Sequence, residues 1–451
     1  MPAQDDKPFL SMYTNRHIWN ISYPIFLSLL AQNVINVTDT AFLGRVGEVE
    51  LGASAMGGLY YICAFTIAFG FSTGSQIVIG RRNGERNFSA IGPVVIQGIL
   101  FLSALAGLLF LASRMWAGNL MRLMISSEEI WSATMEYLDW RLFGFFFSFV
   151  NVMFRALFVG VTRTKVLTLS AVVMAVVNVL LDYLLIFGHA GLPKMGIQGA
   201  AIASVAAEAF AVVFFIVYTF FTVDRRKYGL NRFRSFDLKL LRQVLSISVF
   251  MMLQYFVSMS TFFLFFIVVE RLGQRELAIA NIVRSIYIVM FIPVNSLSTT
   301  TNTMVSNLMG AGKFPMVLPL IRRIAGISMG IMLLFSTILS LFPETILSIY
   351  TNDVSLIASS VPSVYVIALA TLCCSVASIA FSGVSGTGNT RSAFGLEMIV
   401  LVVYTLFIYV SGIWLRQPVH ICFVAEIVYF SGLLIVSAAY LRWSAWDKKK
   451  I

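Results

Sequence analysis

The chain has 451 residues and a formal net charge of +11; 59% of its residues are hydrophobic and 12% are charged, where soluble domains carry about 25% charged residues. Such a composition excludes an ordinary soluble fold. A lipid-facing β-barrel is excluded too, because its strands alternate apolar and polar residues, whereas Val172 to Ile186 is continuously apolar apart from Asn178 and Asp182.

A spanning helix takes about 20 mostly apolar residues, and twelve such segments are predicted, near 17–43, 51–80, 90–117, 130–160, 166–188, 196–222, 240–269, 277–308, 316–342, 354–384, 392–415 and 419–443. The polar leader MPAQDDKPFLSMYTNR has no apolar core or small-residue cleavage site, so the first span is expected to stay attached. Within that span Gln32, Asn36 and Asp39 stand four and three residues apart, which places three oxygen-bearing side chains on one helical face. Pro24, earlier in the same span, weakens the backbone ladder and is the predicted bending point. In the fourth span Asp139 and Arg141 are two apart; they do not face each other, and each is expected to pair elsewhere. Arg155 and Arg284 are expected to snorkel toward span ends.

The fifth span carries Asn178 and Asp182 four residues apart, with Ser170 and Met174 extending their face, and Ser204 and Glu208 repeat the spacing on the sixth. A carboxylate at the middle of a span costs about 2.5–3.5 kcal/mol on insertion scales, so it faces protein or water and has a role. If the faces of spans one, five and six converge, the first half of the chain encloses a small acidic, amide-rich cavity in which a carboxyl group can exchange a proton for a cation. An interhelical polar clamp is the competing reading of Asn178 and Asp182, and a structural role weighs more heavily still for Glu208. Glu397 and Glu426 in the second half have no assigned role; a proton path through them is the alternative. Cys63, Cys373, Cys374 and Cys422 fall inside spans without metal-ligand spacing and read as buried small apolar residues. His17, His189 and His420 have no partner motif, which argues against an enzyme, a metal site or a cofactor. The glycine run at 382–388 has neither a preceding strand nor a following GK[ST], so it is not a phosphate loop.

The positive charge follows topology rather than nucleic acid. With the N-terminus inside, Arg81, Arg82, Arg163, Lys165, the run from Arg225 to Arg242 and Lys448 to Lys450 all fall on one side. This is the positive-inside pattern, and it predicts a multi-pass protein of the plasma (inner) membrane with both termini cytoplasmic.

The chain also matches itself at an offset of 226 residues. GRVGEVELGA at 44–53 falls on ERLGQRELAI at 270–279, Gly84 on Gly310, and GVTRTK from Gly160 on GTGNTR from Gly386. Six spans per copy return the chain to its starting side, so the copies form parallel repeats about an axis along the membrane normal. The expected organisation is an N-terminal six-helix lobe at 1–222, a basic cytoplasmic linker at 223–239 and a C-terminal six-helix lobe at 240–451. At the same offset Asp39 falls on Phe265, Asn178 on Tyr404 and Asp182 on Ile408, so the polar constellation belongs to one lobe.

NVTDTAFLGRVGEVELGA at the end of the first span, RRNGERN after the second, NLMGAGK after the eighth and NVLLDYLLIFGHAGLPKMGIQGAAIASVAAE at 178–208 together resemble the multidrug and toxic compound extrusion (MATE) family. The resemblance covers essentially the whole chain. It implies twelve helices in two six-helix lobes and export of organic, often cationic or amphipathic, small molecules, driven by inward proton or sodium flow. The pattern of Asp in the first span with Asn and Asp in the fifth is similar to the DinF-like branch. NorM-like members carry a glutamate in helix seven and an aspartate in helix ten, where this chain has Gln254 and Cys373 or Cys374.

The resulting expectation is proton-coupled antiport through Asp39, Asn178 and Asp182, with Gln32, Asn36, Ser204 and Glu208 lining the cavity, by a monomer without cofactor or nucleic-acid partner. Sodium coupling at a cation site formed by the same three residues is the first alternative. A lipid-linked oligosaccharide flippase of the same superfamily is the second; it would show a more cationic cavity and usually extra helices. Nothing resembles the selectivity filter of a channel.

Overall fold

The computed structural model describes residues 14–231 and 236–448. Among the described residues the regular structure is all helical, with no strand. Eleven helices are long and apolar enough to cross a bilayer: α1 (Asn15–Val46), α2 (Glu48–Gly84), α3 (Ile91–Met124), α6 (Lys165–Phe187), α7 (Gly196–Thr222), α8 (Leu238–Glu270), α9 (Gln274–Gly310), α10 (Val317–Leu341), α12 (Val354–Gly386), α13 (Thr390–Ile408, continued as a π turn to Trp414) and α15 (Val424–Trp443, preceded by the short α14, Val419–Cys422). A single turn, α11 (Pro343–Leu347), lies between α10 and α12. The fourth predicted span, 130–160, is two helices, α4 (Glu128–Arg141) and α5 (Gly144–Gly160), bent by 54° at their break. Fourteen residues of α4 rise about 21 Å, short of a hydrocarbon core of about 30 Å, so the two together make the twelfth crossing. The chain is a multi-pass, all-α membrane protein.

The repeat seen in the sequence reappears in the helix ends. Both ends of α2 and α9 differ by 226 positions, as do the 3-10 turns Phe88–Ala90 and Phe314–Met316 and the first residues of α3 and α10. The caps repeat as well: Ser127 accepts from Ile130 N at 3.4 Å, and Asp353, at the same offset, accepts from Ser355 N and Leu356 N at 2.9 and 3.2 Å. These oxygens satisfy N–H groups that have no partner within the helix. One departure stands out. The counterpart of the broken α4–α5 span is α12, which runs without interruption even though it contains Pro362.

The chain forms two compact units, 23–252 and 1–22 with 253–451. Inside the first, Gly70 and Gly74 make a GxxxG pair on α2 that lets the backbone of α8 approach closely. A Cβ on Gly70 would lie 2.5 Å from Met252 Cα, and one on Gly74 2.5 Å from Ser248 Cα; Ser248 Oγ donates to Phe71 O at 3.2 Å. The early turns of α8 are thereby built into this unit. The connection before them is held too: Gly92 N donates to Tyr228 O at 2.7 Å. Of the expected linker, residues 232–235 lie outside the described residues. Inside the second unit, Ser296 Oγ donates to Ser22 O at 2.6 Å and Arg323 Nε to Asn15 Oδ1 at 2.6 Å, so the first turns of α1 belong there.

Candidate functional site

The polar residues of α1, α6 and α7 meet inside the unit formed by residues 23–252. Asn178 and Asp182 are completely buried, on one face of α6 as their spacing dictates. With its nitrogen turned to the carboxyl groups, Asn178 donates to Asp39 Oδ1 at 3.0 Å and to Asp182 Oδ2 at 3.3 Å. The opposite orientation would put an amide oxygen against carboxylate oxygens, three acceptors with no donor. Asp39 and Asp182 also lie within hydrogen-bonding reach of each other, and Ser204 reaches Asp39 from α7. Asp182 Oδ1 is buried with no donor. Two ionised carboxylates in such contact repel, so the pair is stable with a proton or another cation between its oxygens.

Next to this pair stands a second charged group. Arg141 and Glu208 form a two-pronged ion pair, Nη2 to Oε1 at 2.8 Å and Nη1 to Oε2 at 3.1 Å, a geometry that fits the planar guanidinium to a carboxylate. The guanidinium lies 3.6 Å from the centre of the Tyr61 ring, and the Tyr61 hydroxyl lies 3.1 and 3.2 Å from the Glu208 oxygens and 2.8 Å from Ser148 Oγ. Asn151 Nδ2 donates to the Glu208 carbonyl at 2.9 Å. Arg141 is the last residue of α4, so the bend in the fourth span places its side chain. At the first residue of α5, a Cβ on Gly144 would collide with Arg141, Glu208 and Tyr61 together; glycine is what leaves room for the pair.

These groups wall a cavity of about 260 Å³ that includes Gln32, Asn36, Asp39, Tyr61, Tyr137, Arg141, Met174, Asn178, Ser204 and Glu208. A smaller cavity of about 130 Å³ adjoins it, lined by Ser28, Ser148, Asn151, Arg155 and Ser170 among others, and shares Gln32, Phe65, Met174 and Glu208 with the first. Near the starts of α2 and α4, Glu48, Glu50, Glu128, Glu129 and Glu136 line an open hollow, a negative field at the surface of the same unit.

The structure thus brings Asp39, Asn178, Asp182, Gln32, Asn36, Ser204 and Glu208 into one neighbourhood. Pro24 stands apart from it: α1 is helical straight through this residue, and Thr168 Oγ1 donates to the Pro24 carbonyl at 2.9 Å. Asp139 and Arg141 pair elsewhere, with Arg114 and Glu208 respectively. Arg155, expected to snorkel, instead lines the smaller cavity with its guanidinium over Phe69; hydroxyl and amide neighbours supply the polar setting there that lipid headgroups supply at a span end. Tyr61, Tyr137 and the Arg141–Glu208 pairing were not foreseen. The available signal was an arginine inside a span with no partner in its own helix.

In the other unit, Glu397 accepts from Ser258 Oγ and Tyr429 OH, both at 2.7 Å, and Glu426 accepts from Tyr404 OH at 2.9 Å. Among the described residues neither glutamate has an ion pair. The places of Arg141 and Glu208 at the 226 offset hold Ile367 and Leu434. No group of three His, Cys, Asp or Glu side chains converges on one point among the described residues. The chemistry open to the first unit is exchange of a proton or another cation at a two-carboxylate pair, of which Asp39 lines the cavity and Asp182 lies buried behind it.

Comparison with known proteins is consistent from end to end. The probable multidrug resistance protein NorM of Thermotoga maritima is 23% identical over 97% of this chain and 94% of its own length; that of Agrobacterium fabrum is 25% identical over 72% and 70%. Among solved structures, an outward-facing multidrug resistance MATE family transporter of the MOP superfamily has the same fold, with a TM-score of 0.87 over 94% of each chain at 17% identity. The eukaryotic MATE transporter AtDTX14 gives 0.86 over 96% of each at 14% identity. The MatE family model matches residues 24–184 and 251–441, one stretch in each half, and the chain belongs to the multidrug and toxic compound extrusion (MATE) family of membrane transporters.

Proposed function

We propose that this transporter exports organic, cationic or amphipathic compounds in exchange for protons, with Asp39 and Asp182 as the shared binding point of the two. The observation that carries the reading is the carboxyl pair bridged by Asn178, with Asp39 and Asn178 on the wall of the 260 Å³ cavity and Asp182 buried behind them. That volume approaches the lower end of ligand pockets, about 300 Å³. When the pair gives up its proton it carries two negative charges rather than one and holds a cation; when the proton returns, one of those charges is cancelled and the cation leaves. The relatives named as multidrug resistance proteins support the substrate class.

The closeness of Asp39 and Asp182 supports protons as the coupling ion, because a shared proton needs only the oxygens of the two carboxyl groups. The paired Asp39, Asn178 and Asp182 support a place in the DinF-like branch. Export runs by alternating access of the two six-helix repeats, from an inner membrane in which the Lys and Arg distribution supports cytoplasmic termini. Because one chain supplies every residue of the site, a monomer is sufficient.

The test is efflux from liposomes under an imposed pH gradient and, separately, a sodium gradient, for the parent and for Asp39→Asn. The expected result is efflux driven by the pH gradient in the parent and its loss in the variant. Unimpaired pH-driven efflux in Asp39→Asn would overturn the assignment, and efflux driven by sodium alone would overturn the choice of ion.

A further inference from the structure

We infer that Arg141 is a positioning residue of the coupling site that changes partner during transport, bound to Glu208 while the Asp39–Asp182 pair holds a proton and turned to that pair when it is empty. The inference rests on the proton-exchange reading above and adds to it a part for the Arg141–Glu208 pair and the broken span.

Three carboxyl groups share the neighbourhood of one guanidinium. Asp39 is faced by Asp182 from α6, Arg141 and Tyr137 from α4, Tyr61 from α2 and Glu208 from α7, and by the neutral Asn178 and Ser204. Arg141 is the one cation in this set. In the structure both of its terminal nitrogens are spent on Glu208. A protonated Asp39–Asp182 pair offers a single, shared charge, and Glu208 is the better partner. When the proton leaves and no substrate has arrived, the pair carries two charges on touching carboxyls, and the strongest pull on a cation in the cavity wall is toward them.

The construction of the site allows that movement. Tyr61 supports the guanidinium by its ring face, an attraction without a fixed hydrogen-bond direction, while its hydroxyl, held also by Ser148, and Asn151 bond to the Glu208 carboxylate and backbone respectively. Arg141 is carried at the end of α4, immediately before Leu142–Phe143, where the span is broken and bent. Motion of its side chain is therefore linked to a hinge rather than to the middle of a rigid rod. The other repeat has none of these parts: Ile367, Leu434 and Ala370 replace Arg141, Glu208 and Gly144, and α12 is continuous. Break, arginine and carboxyl pair occur together in the lobe that handles the proton.

The pH dependence of liposome efflux distinguishes an exchanging pair from a fixed one. In Glu208→Gln the guanidinium loses its alternative partner and rests on the carboxyl pair, so the midpoint of the pH profile is expected to move to more acid pH by about one unit; a fixed ion pair would lower the rate at every pH without moving the midpoint. Arg141→Gln, which removes the cation, is expected to move the midpoint the other way. An unmoved midpoint in both variants would overturn the inference. Where Glu208→Gln does not fold, Arg141→Gln alone carries the test. The efflux of Asp39→Asn decides the proton-exchange reading separately, so failure of that reading and failure of the partner exchange give different results.

Discussion

Replacing Gly144 by alanine adds a single methyl group at the place where the ion pair, the tyrosine and the helix break meet. That Cβ would stand 2.6 Å from Glu208 Oε2 and 2.8 Å from Tyr61 OH, and would also clash with Arg141 Nη1. To reach ordinary contact near 3.4 Å, the carboxylate and hydroxyl must each retreat by about 0.6–0.8 Å, or α5 must shift; overpacking of this kind costs about 1–3 kcal/mol. Loss of one of the two Arg141–Glu208 hydrogen bonds adds about 1.5–3 kcal/mol, because both partners are charged and largely buried. The expected total is about 2.5–6 kcal/mol, read as a lower Tm together with weakened efflux. Tyr61→Phe in the alanine background removes one of the three clashing atoms and should recover part of the loss. The control is Ala370→Gly at the corresponding place in α12, which costs about 0.5–1 kcal/mol from helix propensity. A Gly144→Ala protein with the parent's Tm and efflux would refute the packing argument.

Asn178→Leu removes the amide that donates to both carboxyls; efflux driven by a pH gradient should fall at least about tenfold, since charge-assisted hydrogen bonds contribute about 1.5–3 kcal/mol, and an unchanged rate would show that the amide is a structural clamp. Gly74→Ala forces a methyl group into the α8 backbone at Ser248 and should lower the Tm by more than Gly107→Ala, where nothing lies within 4 Å; equal effects would contradict the close approach of α2 and α8. Asp353→Ala deletes a cap that accepts from two backbone N–H groups and should destabilise by about 1 kcal/mol, more than Ser127→Ala, whose hydroxyl accepts from one at 3.4 Å; chemical denaturation in detergent measures the difference.

The crossings were legible because hydropathy and length act locally: an apolar run of spanning length has one stable solution in lipid. The 226-residue register was legible too, and the helix ends follow it closely. The break at Leu142–Phe143 left no such mark. DWRLFGFFF contains no proline, and the nearest cue, Gly144, is ordinary in a membrane helix until its neighbours are known. Asp39, Asn178 and Asp182 stood out because carboxyl and amide groups inside spans demand partners. Arg141 made the same demand, but its partner is 67 residues away, and Tyr61 is 147 residues from the carboxylate that it supports. Pairings at that distance are decided by which helices pack side by side, information that a pattern within one helix does not hold. Arg155 was misplaced for a related reason: its position in the sequence of α5 does not reveal the polar hollow beside it.

The exchange of helix beginnings between the two compact units has a consequence for biogenesis. Asn15 and Ser22 leave the ribosome well before their hydrogen-bond partners, Arg323 and Ser296, which lie 308 and 274 residues further along. The first repeat likewise lacks Ser248 and Met252 until the chain has begun its seventh crossing. Insertion of six crossings therefore leaves an unfinished lobe in the bilayer, with Asn15 and Ser22 waiting for these partners until the eighth and ninth crossings have been threaded. A chain truncated after the sixth crossing is expected to be recognised by membrane quality control as incomplete, although each of its helices has already been inserted.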